Sequence, residues 1–169
     1  MIELVELYRQ RVFGLCYRML GQRQDAEDAA QETFLRVLKN LERWDPDRDF
    51  EPWLLAIAGN RCRTALAKRM RRPTSQLLID SLPDESPNLQ AAQNLAEEVE
   101  LALNDLRAEY RQAFVLFQEH ELSYVEIAKA MQCPLGTVKT WVHRARRELI
   151  HQLQKRGVLQ ERSCEVRKV

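Results

Sequence analysis

The stretch Glu121–Ile150 reads ELSYVEIAKAMQCPLGTVKTWVHRARRELI and contains two short helical patterns separated by a tight joint. Ser123 and Glu126 have the spacing of a capping box, which satisfies backbone N–H groups at the start of a helix. The apolar pattern then breaks, and Pro134 suits the first position of a new helix because its missing N–H needs no partner there. We therefore predict a helix-turn-helix whose second helix is the recognition helix.

Both predicted helices are amphipathic, with apolar residues at steps of three and four. The predicted buried stripes are Val125, Ile127, Ala128 and Met131 in the first helix, and Leu135, Val138, Val142, Ala145 and Leu149 in the second. The opposite face of the second helix carries Thr137, Lys139, Thr140, His143, Arg144, Arg146 and Arg147. A basic helix alone is typical of solvated surface, but the cap, the proline joint and the one-sided arginines together favour DNA binding.

The net charge of the 169 residues is only +1, a total that hides separate blocks of charge. Every charged residue between Gly59 and Arg72 is positive. Between Asp80 and Glu109, Arg107 is the only positive residue among several carboxylates. Since the helix-turn-helix is basic again, the sequence predicts two positively charged surfaces, each suited to nucleic-acid phosphate.

Residues 1–72 predict an all-helical domain, since no segment alternates apolar and polar side chains as a strand would. The predicted order is a helix over Leu4–Leu20 that ends at Gly21, a helix from an Asp25 cap to about Leu41, a loop over Glu42–Pro52, and a helix from Trp53 into the basic run.

Residues 73–89 are rich in proline, serine and aspartate, a composition that predicts a linker. Residues 90–155 predict a second helical domain, and residues 156–169 a tail. The second domain is predicted to begin with two helices. Their apolar faces are Leu95, Val99, Leu103 and Leu106 in the first helix, and Ala113, Phe114 and Phe117 in the second. The predicted fold class is all-α, with two small helical domains joined by a flexible linker and a helix-turn-helix in the second.

The four cysteines are scattered without a CxxC spacing, so the sequence proposes neither a zinc site nor a disulfide framework. We recognise no signal peptide or long apolar run, which predicts a cytoplasmic protein. The three histidines are dispersed and no glycine-rich phosphate loop is present, so we expect no enzyme activity, metal or cofactor.

Several motifs resemble the bacterial sigma factors of the extracytoplasmic-function (ECF) group. LSYVEIA and GTVKTWVHRAR resemble their C-terminal DNA-binding domain, while DAEDAAQETFLRV and FEPWLLAIAGN resemble their N-terminal promoter-opening domain. The resemblance covers nearly the whole chain in the family's order. It departs at Gly59 and Trp141, where the family commonly has arginine, and at Thr64, where aspartate is common. Gly59 also puts a helix-weakening residue inside the basic helix.

The resemblance implies three functional surfaces. It assigns docking on core RNA polymerase to Asp28, Gln31 and Glu32. It assigns recognition of the −10 promoter element to Trp44, Phe50, Asn60, Arg61, Arg63, Lys68 and Arg69, with the loop Glu42–Phe50 holding a flipped base. It assigns the −35 element to Thr137, Lys139, Thr140, Trp141, His143, Arg144 and Arg147.

The tryptophans leave alternatives open. Trp44 and Phe50 suit stacking on bases, although Trp44 fits the core equally well, whereas Trp53 is expected in the core. Trp141 suits either a buttress of the recognition helix or a contact with backbone sugar.

The resemblance therefore implies a sigma factor whose partners are core RNA polymerase, promoter DNA and an anti-sigma factor. A stand-alone helix-turn-helix regulator would explain residues 121–150 but leave DAEDAAQETF without a role. A nucleic-acid-processing enzyme is disfavoured because no candidate catalytic groups are recognised.

Overall fold

The computed structural model describes residues 2–47, 49–71 and 87–159, and the regular secondary structure in these ranges is entirely helical. The helices are α1 (Ile2–Leu20), α2 (Arg23–Lys39), α3 (Phe50–Met70), α4 (Pro87–Asn104), α5 (Ala108–Gln118), α6 (Tyr124–Met131) and α7 (Leu135–Lys155), with a 3-10 turn at Leu41–Arg43. The all-α prediction is confirmed, and the predicted helix-turn-helix is α6 and α7. Among the described residues, no helix combines the length and apolar character required to cross a bilayer.

Helices α1, α2 and α3 pack pairwise against one another. As predicted, α1 ends at Gly21, whose positive φ of 70° lets its N–H bond the carbonyl of Tyr17 at 2.8 Å. The start of α2 differs from prediction, because Gln22 occupies the cap position and Asp25 lies inside the first turn. A carboxylate in that turn still interacts favourably with the positive end of the helix.

The predicted loop between the second and third helices is shorter than expected. Helix α2 ends at Lys39 and α3 already begins at Phe50, so Pro52 lies in the first turn of α3. A proline is tolerated there because first-turn N–H groups have no partner within the helix. Helix α4 likewise begins at Pro87, inside the predicted linker, while the rest of that linker and residues 160–169 lie outside the described residues.

The apolar stripes are confirmed along most of α7 and wrong at several positions in other helices and at the start of α7. Val138, Val142, Ala145 and Leu149 of α7 are buried as predicted. The apolar residues predicted to pack but found exposed are Leu95, Val125 and Leu135. Leu135 is the first residue of α7, where the neighbouring turn that would cover its side chain is missing.

The two groups of helices, α1–α3 and α4–α7, pack against each other. Helix α1 contacts α4 and α5, and helix α3 contacts α5 and α6. The largest buried cluster combines Leu15 and Leu55 from the first group with Leu116 and Ile127 from the second. The local sequence patterns treat the two groups as separate units and do not predict this packing.

Arg111 of α5 is a buried cation that joins three helix ends. Its guanidinium donates to the carbonyl of Met19 at 2.5 Å, to Asn104, and to the carbonyl of Leu106 at 3.2 Å. The Met19 carbonyl lies at the C-terminal end of α1, where helix carbonyls lack internal donors, and Asn104 and Leu106 lie at and just after the end of α4. Burial lowers the pKa of Arg111 to about 10, so the side chain stays charged near pH 7.

Candidate nucleic-acid interface

The first helix of the helix-turn-helix begins with the predicted capping box. The hydroxyl of Ser123 accepts the N–H of Glu126 at 3.3 Å, and the carboxylate of Glu126 accepts the N–H of Ser123 at 2.7 Å. The Ser123 hydroxyl also donates to this carboxylate at 2.5 Å, and this hydrogen bond, together with the one from the Ser123 backbone N–H, lowers the pKa of the Glu126 carboxyl. The reciprocal pair fixes where α6 starts and hence how it enters the turn.

The turn between α6 and α7 is closed by Gln132 in the left-handed conformation, with φ 52° and ψ 47°. The N–H of Cys133 then bonds the carbonyl of Ala128 at 3.0 Å, which satisfies a free carbonyl at the end of α6. The sequence predicted Pro134 at the first position of α7. In the structure Pro134 is instead the residue before the helix, which begins at Leu135. Its carbonyl accepts the N–H of Thr137 at 2.9 Å and starts the recognition helix.

The face of α7 opposite its buried stripe is exposed as predicted. Lys139, Thr140, His143, Arg144 and Arg147 are exposed, and Thr137 is half-buried. The hydroxyl of Thr140 donates to the carbonyl of Gly136 at 2.9 Å. In this conformation the Thr140 hydroxyl therefore offers lone pairs to a ligand, which suits a base amino group better than a phosphate oxygen.

Arg144 is held by a residue that sequence reasoning missed. Its Nη1 donates to the hydroxyl of Tyr110 at 2.9 Å, and the Tyr110 side chain on α5 is buried. The guanidinium of Arg107 lies 5.2 Å from the centre of the same ring. Tyr110 and Arg144 are 34 residues apart, so no spacing in the sequence could have connected them.

Trp141 buttresses the recognition helix. The side chain is partly buried and packs against both buried clusters, the large one shared by the two helix groups and the smaller one between α4, α5 and α7. The structure thus supports the first of the two roles left open by the sequence.

Helix α3 presents a mixed basic surface. Asn60 and Lys68 are exposed, whereas Arg61, Arg63 and Arg69 are half-buried. Arg63 donates to the side chain of Asn60, and Arg69 donates to the carbonyl of Leu20 at 3.4 Å at the end of α1. The sequence prediction treated these cations as equivalent, but Arg69 also supports the fold.

The aromatic residues before α3 form a cluster centred on Phe50. Its ring lies 5.3 Å from Trp44, 5.4 Å from Tyr8 and 5.6 Å from Trp53, measured between ring centres. Trp44 is half-buried at the edge of the cluster, and its indole N–H is buried without a hydrogen-bond partner. Of the two stacking candidates, Phe50 packs against three rings and Trp44 against Phe50, and both side chains are half-buried.

The predicted polymerase-docking residues share one face of α2. Asp28 and Gln31 are exposed, while Glu32 is half-buried and forms an ion pair with Arg61 of α3. Glu32 therefore links the predicted docking surface to the predicted −10 surface. Leu35, which sequence reasoning left out, lies on the same face at steps of four and seven residues and is 58% exposed.

Comparison with known proteins gives the family of the chain. The model of Sigma-70 region 2 matches residues 4–72, and that of Sigma-70 region 4 matches residues 96–149. The ECF RNA polymerase sigma factor SigW of Bacillus subtilis is 35% identical in an alignment that covers 90% of this chain and 88% of SigW.

Two solved structures share the fold. The sigma factor RpoE from Bartonella quintana, in complex with the anti-sigma factor NepR, has a TM-score of 0.72 and 24% identity over 90% of this chain and 95% of its own. CnrH in complex with the cytosolic domain of CnrY has a TM-score of 0.68 and 25% identity over 90% of this chain and 86% of its own. The chain belongs to the ECF RNA polymerase sigma factor family, and its function is that of a promoter-directing sigma factor.

Proposed function

We propose that the chain docks on core RNA polymerase through α2 and applies α3 to the −10 element and α7 to the −35 element of promoter DNA. The observation that carries this proposal is the order of three surfaces along one chain. An exposed acidic and amide face comes first, a basic helix follows, and a helix-turn-helix with a basic recognition face comes last. This order matches that of regions 2 and 4.

The docking surface combines Asp28 and Gln31 with Leu35 as an apolar anchor. Polar groups around a solvent-exposed apolar side chain form the usual pattern of a protein–protein contact. The carboxylate of Asp28 favours a positively charged partner surface. Because Glu32 is paired with Arg61, it contributes to the orientation of α2 against α3 as well as to the surface charge.

In the −10 surface, the exposed side chains of Asn60 and Lys68 are the proposed polar contacts with DNA. Trp44 is the residue proposed to stack on the flipped base. Arg61, Arg63 and Arg69 are bonded to neighbouring residues and add positive potential around these contacts. The aromatic packing around Phe50 holds the start of α3 and the Trp44 ring together.

In the −35 surface, Lys139 and Thr140 are the proposed base readers, and Arg147 is the proposed phosphate contact. Helix-turn-helix proteins insert the N-terminal part of the recognition helix most deeply into the major groove. Thr137 and His143 flank the readers, while Trp141 and Tyr110 support the helix and Arg144 from behind.

The remaining assignments follow the family. Domains are proposed at residues 1–72 and 90–155, with a linker over 73–89 and a tail over 156–169. We propose a cytoplasmic, non-catalytic protein that an anti-sigma factor inhibits. The complexes of RpoE with NepR and of CnrH with the cytosolic domain of CnrY support this kind of partner.

Gel shifts of promoter DNA with and without core polymerase test the proposal. We expect sequence-specific binding only with core, because the isolated chain is nearly neutral and its carboxylates disfavour DNA. Specific nanomolar binding by the isolated chain at physiological salt would instead support a stand-alone regulator.

A further inference from the structure

Arg107 is a single cation in an acidic part of the sequence. Between Asp80 and Glu109 it is the only positively charged residue. It occupies the cap position of α5, where its side chain forms no capping hydrogen bond within the described part of the chain. A positive charge at the N-terminal end of a helix is also electrostatically unfavourable. Helix stability therefore does not explain an arginine at this position.

The structure places the Arg107 side chain beside the recognition helix. Its guanidinium lies 5.2 Å from the centre of the Tyr110 ring, and the hydroxyl of the same ring accepts a hydrogen bond from Nη1 of Arg144 at 2.9 Å. Tyr110 is itself buried in a cluster with Ala145 and Leu149 of α7. One buried ring thus holds an arginine of α5 and an arginine of α7 on adjoining parts of the surface.

Both guanidinium groups are open to solvent. The Arg107 side chain is 69% exposed, and Arg144 is exposed as well. Glu109 forms an ion pair with Arg107 at 3.8 Å, a long distance for such a pair, and exposed ion pairs contribute little stability. A guanidinium has five N–H donors, so Arg107 retains donors for an anion from outside the protein.

The chemistry of this arrangement suits a single phosphate. Arginine matches the geometry of a phosphate group with two parallel hydrogen bonds. A guanidinium already held over an aromatic ring loses less side-chain freedom when it binds a further ligand. Glu109 and Glu148, the latter one turn after Arg144 on α7, keep the surroundings from being broadly basic. The guanidinium itself must therefore make the contact.

We propose that Arg107 contacts a phosphate of the promoter strand bordering the −35 element, so that the DNA-binding surface continues from α7 onto the start of α5. Tyr110 positions Arg107 and Arg144 together at this border. The inference rests on the proposed function, because it takes α7 as the helix that enters the major groove. A phosphate contact carries no sequence information of its own, so Arg107 adds affinity and fixes the orientation of the domain.

The contact is tested with Arg107→Gln in the holoenzyme, with Lys155→Gln as the matched control. Each variant removes one exposed positive charge from the same part of the chain, but Lys155 is the last residue of α7 and lies more than two turns beyond Arg147. We expect Arg107→Gln to reduce the slope of log affinity against log salt by about one and to leave base preference unchanged. Lys155→Gln should keep the wild-type slope.

A scan of promoter duplexes with single methylphosphonate linkages locates the contact, because each linkage neutralises one phosphate. The loss caused by Arg107→Gln should disappear at one linkage outside the bases read by Lys139, where the partner of Arg107 is already neutral. Arg107→Lys should restore most of the salt slope, since an ammonium group also binds phosphate as a point charge.

The results separate this contact from the proposed function. Equal slopes for Arg107→Gln and Lys155→Gln would overturn the contact. A loss in Arg107→Gln that persists with every methylphosphonate duplex would also overturn it and indicate a structural role. If Arg147→Ala lowers the slope while Arg107→Gln does not, only the extension onto α5 fails. If the wild-type holoenzyme shows no specific promoter binding, the proposed function fails together with this inference.

Discussion

Individual side chains on α7 have different tasks, although they form one basic face. Thr140 donates to its own helix, Arg144 is held by Tyr110, and Lys139 and Arg147 are exposed on different turns. Position along the helix decides how deeply a side chain enters the groove. Sequence readout and phosphate attachment are therefore expected to separate between the first and last turns of this face.

Substitution of Lys139 and of Arg147 should have distinct consequences. Lys139→Ala should cost roughly 1–3 kcal/mol of promoter binding and relax base preference at one position of the −35 element. Arg147→Ala should weaken binding similarly for all sequences and reduce the salt slope by about one. Transcription from randomised promoter libraries measures the base preference, and holoenzyme binding to promoter DNA at a series of salt concentrations measures the slope. If Arg147→Ala changes the preferred sequence and Lys139→Ala only lowers output, the proposed orientation of α7 is wrong.

The Tyr110 hydroxyl is expected to affect promoter binding by holding the Arg144 side chain in position. Tyr110→Phe removes the acceptor and should weaken holoenzyme binding to promoter DNA by a factor of about 3 to 10, the range of an ordinary net hydrogen bond, because Arg144 is exposed to solvent. In an Arg144→Ala background the same change should have no further effect. Tyr124→Phe is the control, because that ring stacks on Phe117 through its face. Additive losses in anisotropy titrations would contradict the coupling.

At the scale of single elements, α2 combines a packing face with an exposed binding face. Thr33 is fully buried and donates to the carbonyl of Ala29 at 2.7 Å, which hides the one polar group on the packing face. On the other face, Leu35 is an exposed apolar residue beside Asp28 and Gln31. This arrangement predicts that changes to the exposed face reduce partner binding without unfolding the helix.

The docking surface is tested by Leu35→Ser and by Asp28→Arg/Gln31→Arg. Each is expected to reduce co-sedimentation with core polymerase at least tenfold while thermal unfolding stays near wild type, because these side chains make no buried contacts. Leu7→Ser, at an apolar residue of α1 that is 70% exposed, is the matched control and should bind normally. Normal core binding by both folded docking variants would refute this surface. Glu32→Arg is a poorer probe because it also breaks the ion pair with Arg61.

At the scale of the whole molecule, stability should depend on pH through His120. Burial, assisted by the nearby positive charge of Arg11, lowers the pKa of His120 to about 4. The unfolded chain, with a histidine pKa near 6.5, therefore binds more protons between these values. Stability should be complete above about pH 6.5 and fall by roughly 3 kcal/mol as the pH drops to about 4.

Urea unfolding at a series of pH values measures this dependence. His120→Phe should flatten the curve in that window, whereas the exposed control His151→Gln should not change it. The lowered pKa of Glu126 also makes folding less favourable in acid, but mainly below its ordinary value of about 4.5, so only the acid end of the slope should persist in His120→Phe. An unchanged slope in His120→Phe would show that His120 is not the titrating group.

Much of this protein could be predicted from local sequence patterns. The capping box of Ser123 and Glu126, the stop at Gly21 and the buried stripe of α7 all depend on residues a few positions apart. Helical periodicity and capping act over one or two turns, so they can be recognised without knowledge of the fold. The same patterns identified the exposed basic face of α7. They failed where a helix end or a solvent-facing edge leaves an apolar residue uncovered, as at Val125 and Leu135.

The tertiary structure decided how the two halves meet and which polar groups are bonded. Gly59 seemed only to weaken a basic helix until Gln112, 53 positions away, was found against it. Arg111 bonding the ends of α1 and α4, and Tyr110 holding Arg144, are likewise contacts between distant segments. Such contacts depend on shape and burial after the helices have packed, and they leave no periodic pattern in any one segment. Local sequence therefore determined the helices and their binding faces, whereas packing determined which of those faces meet.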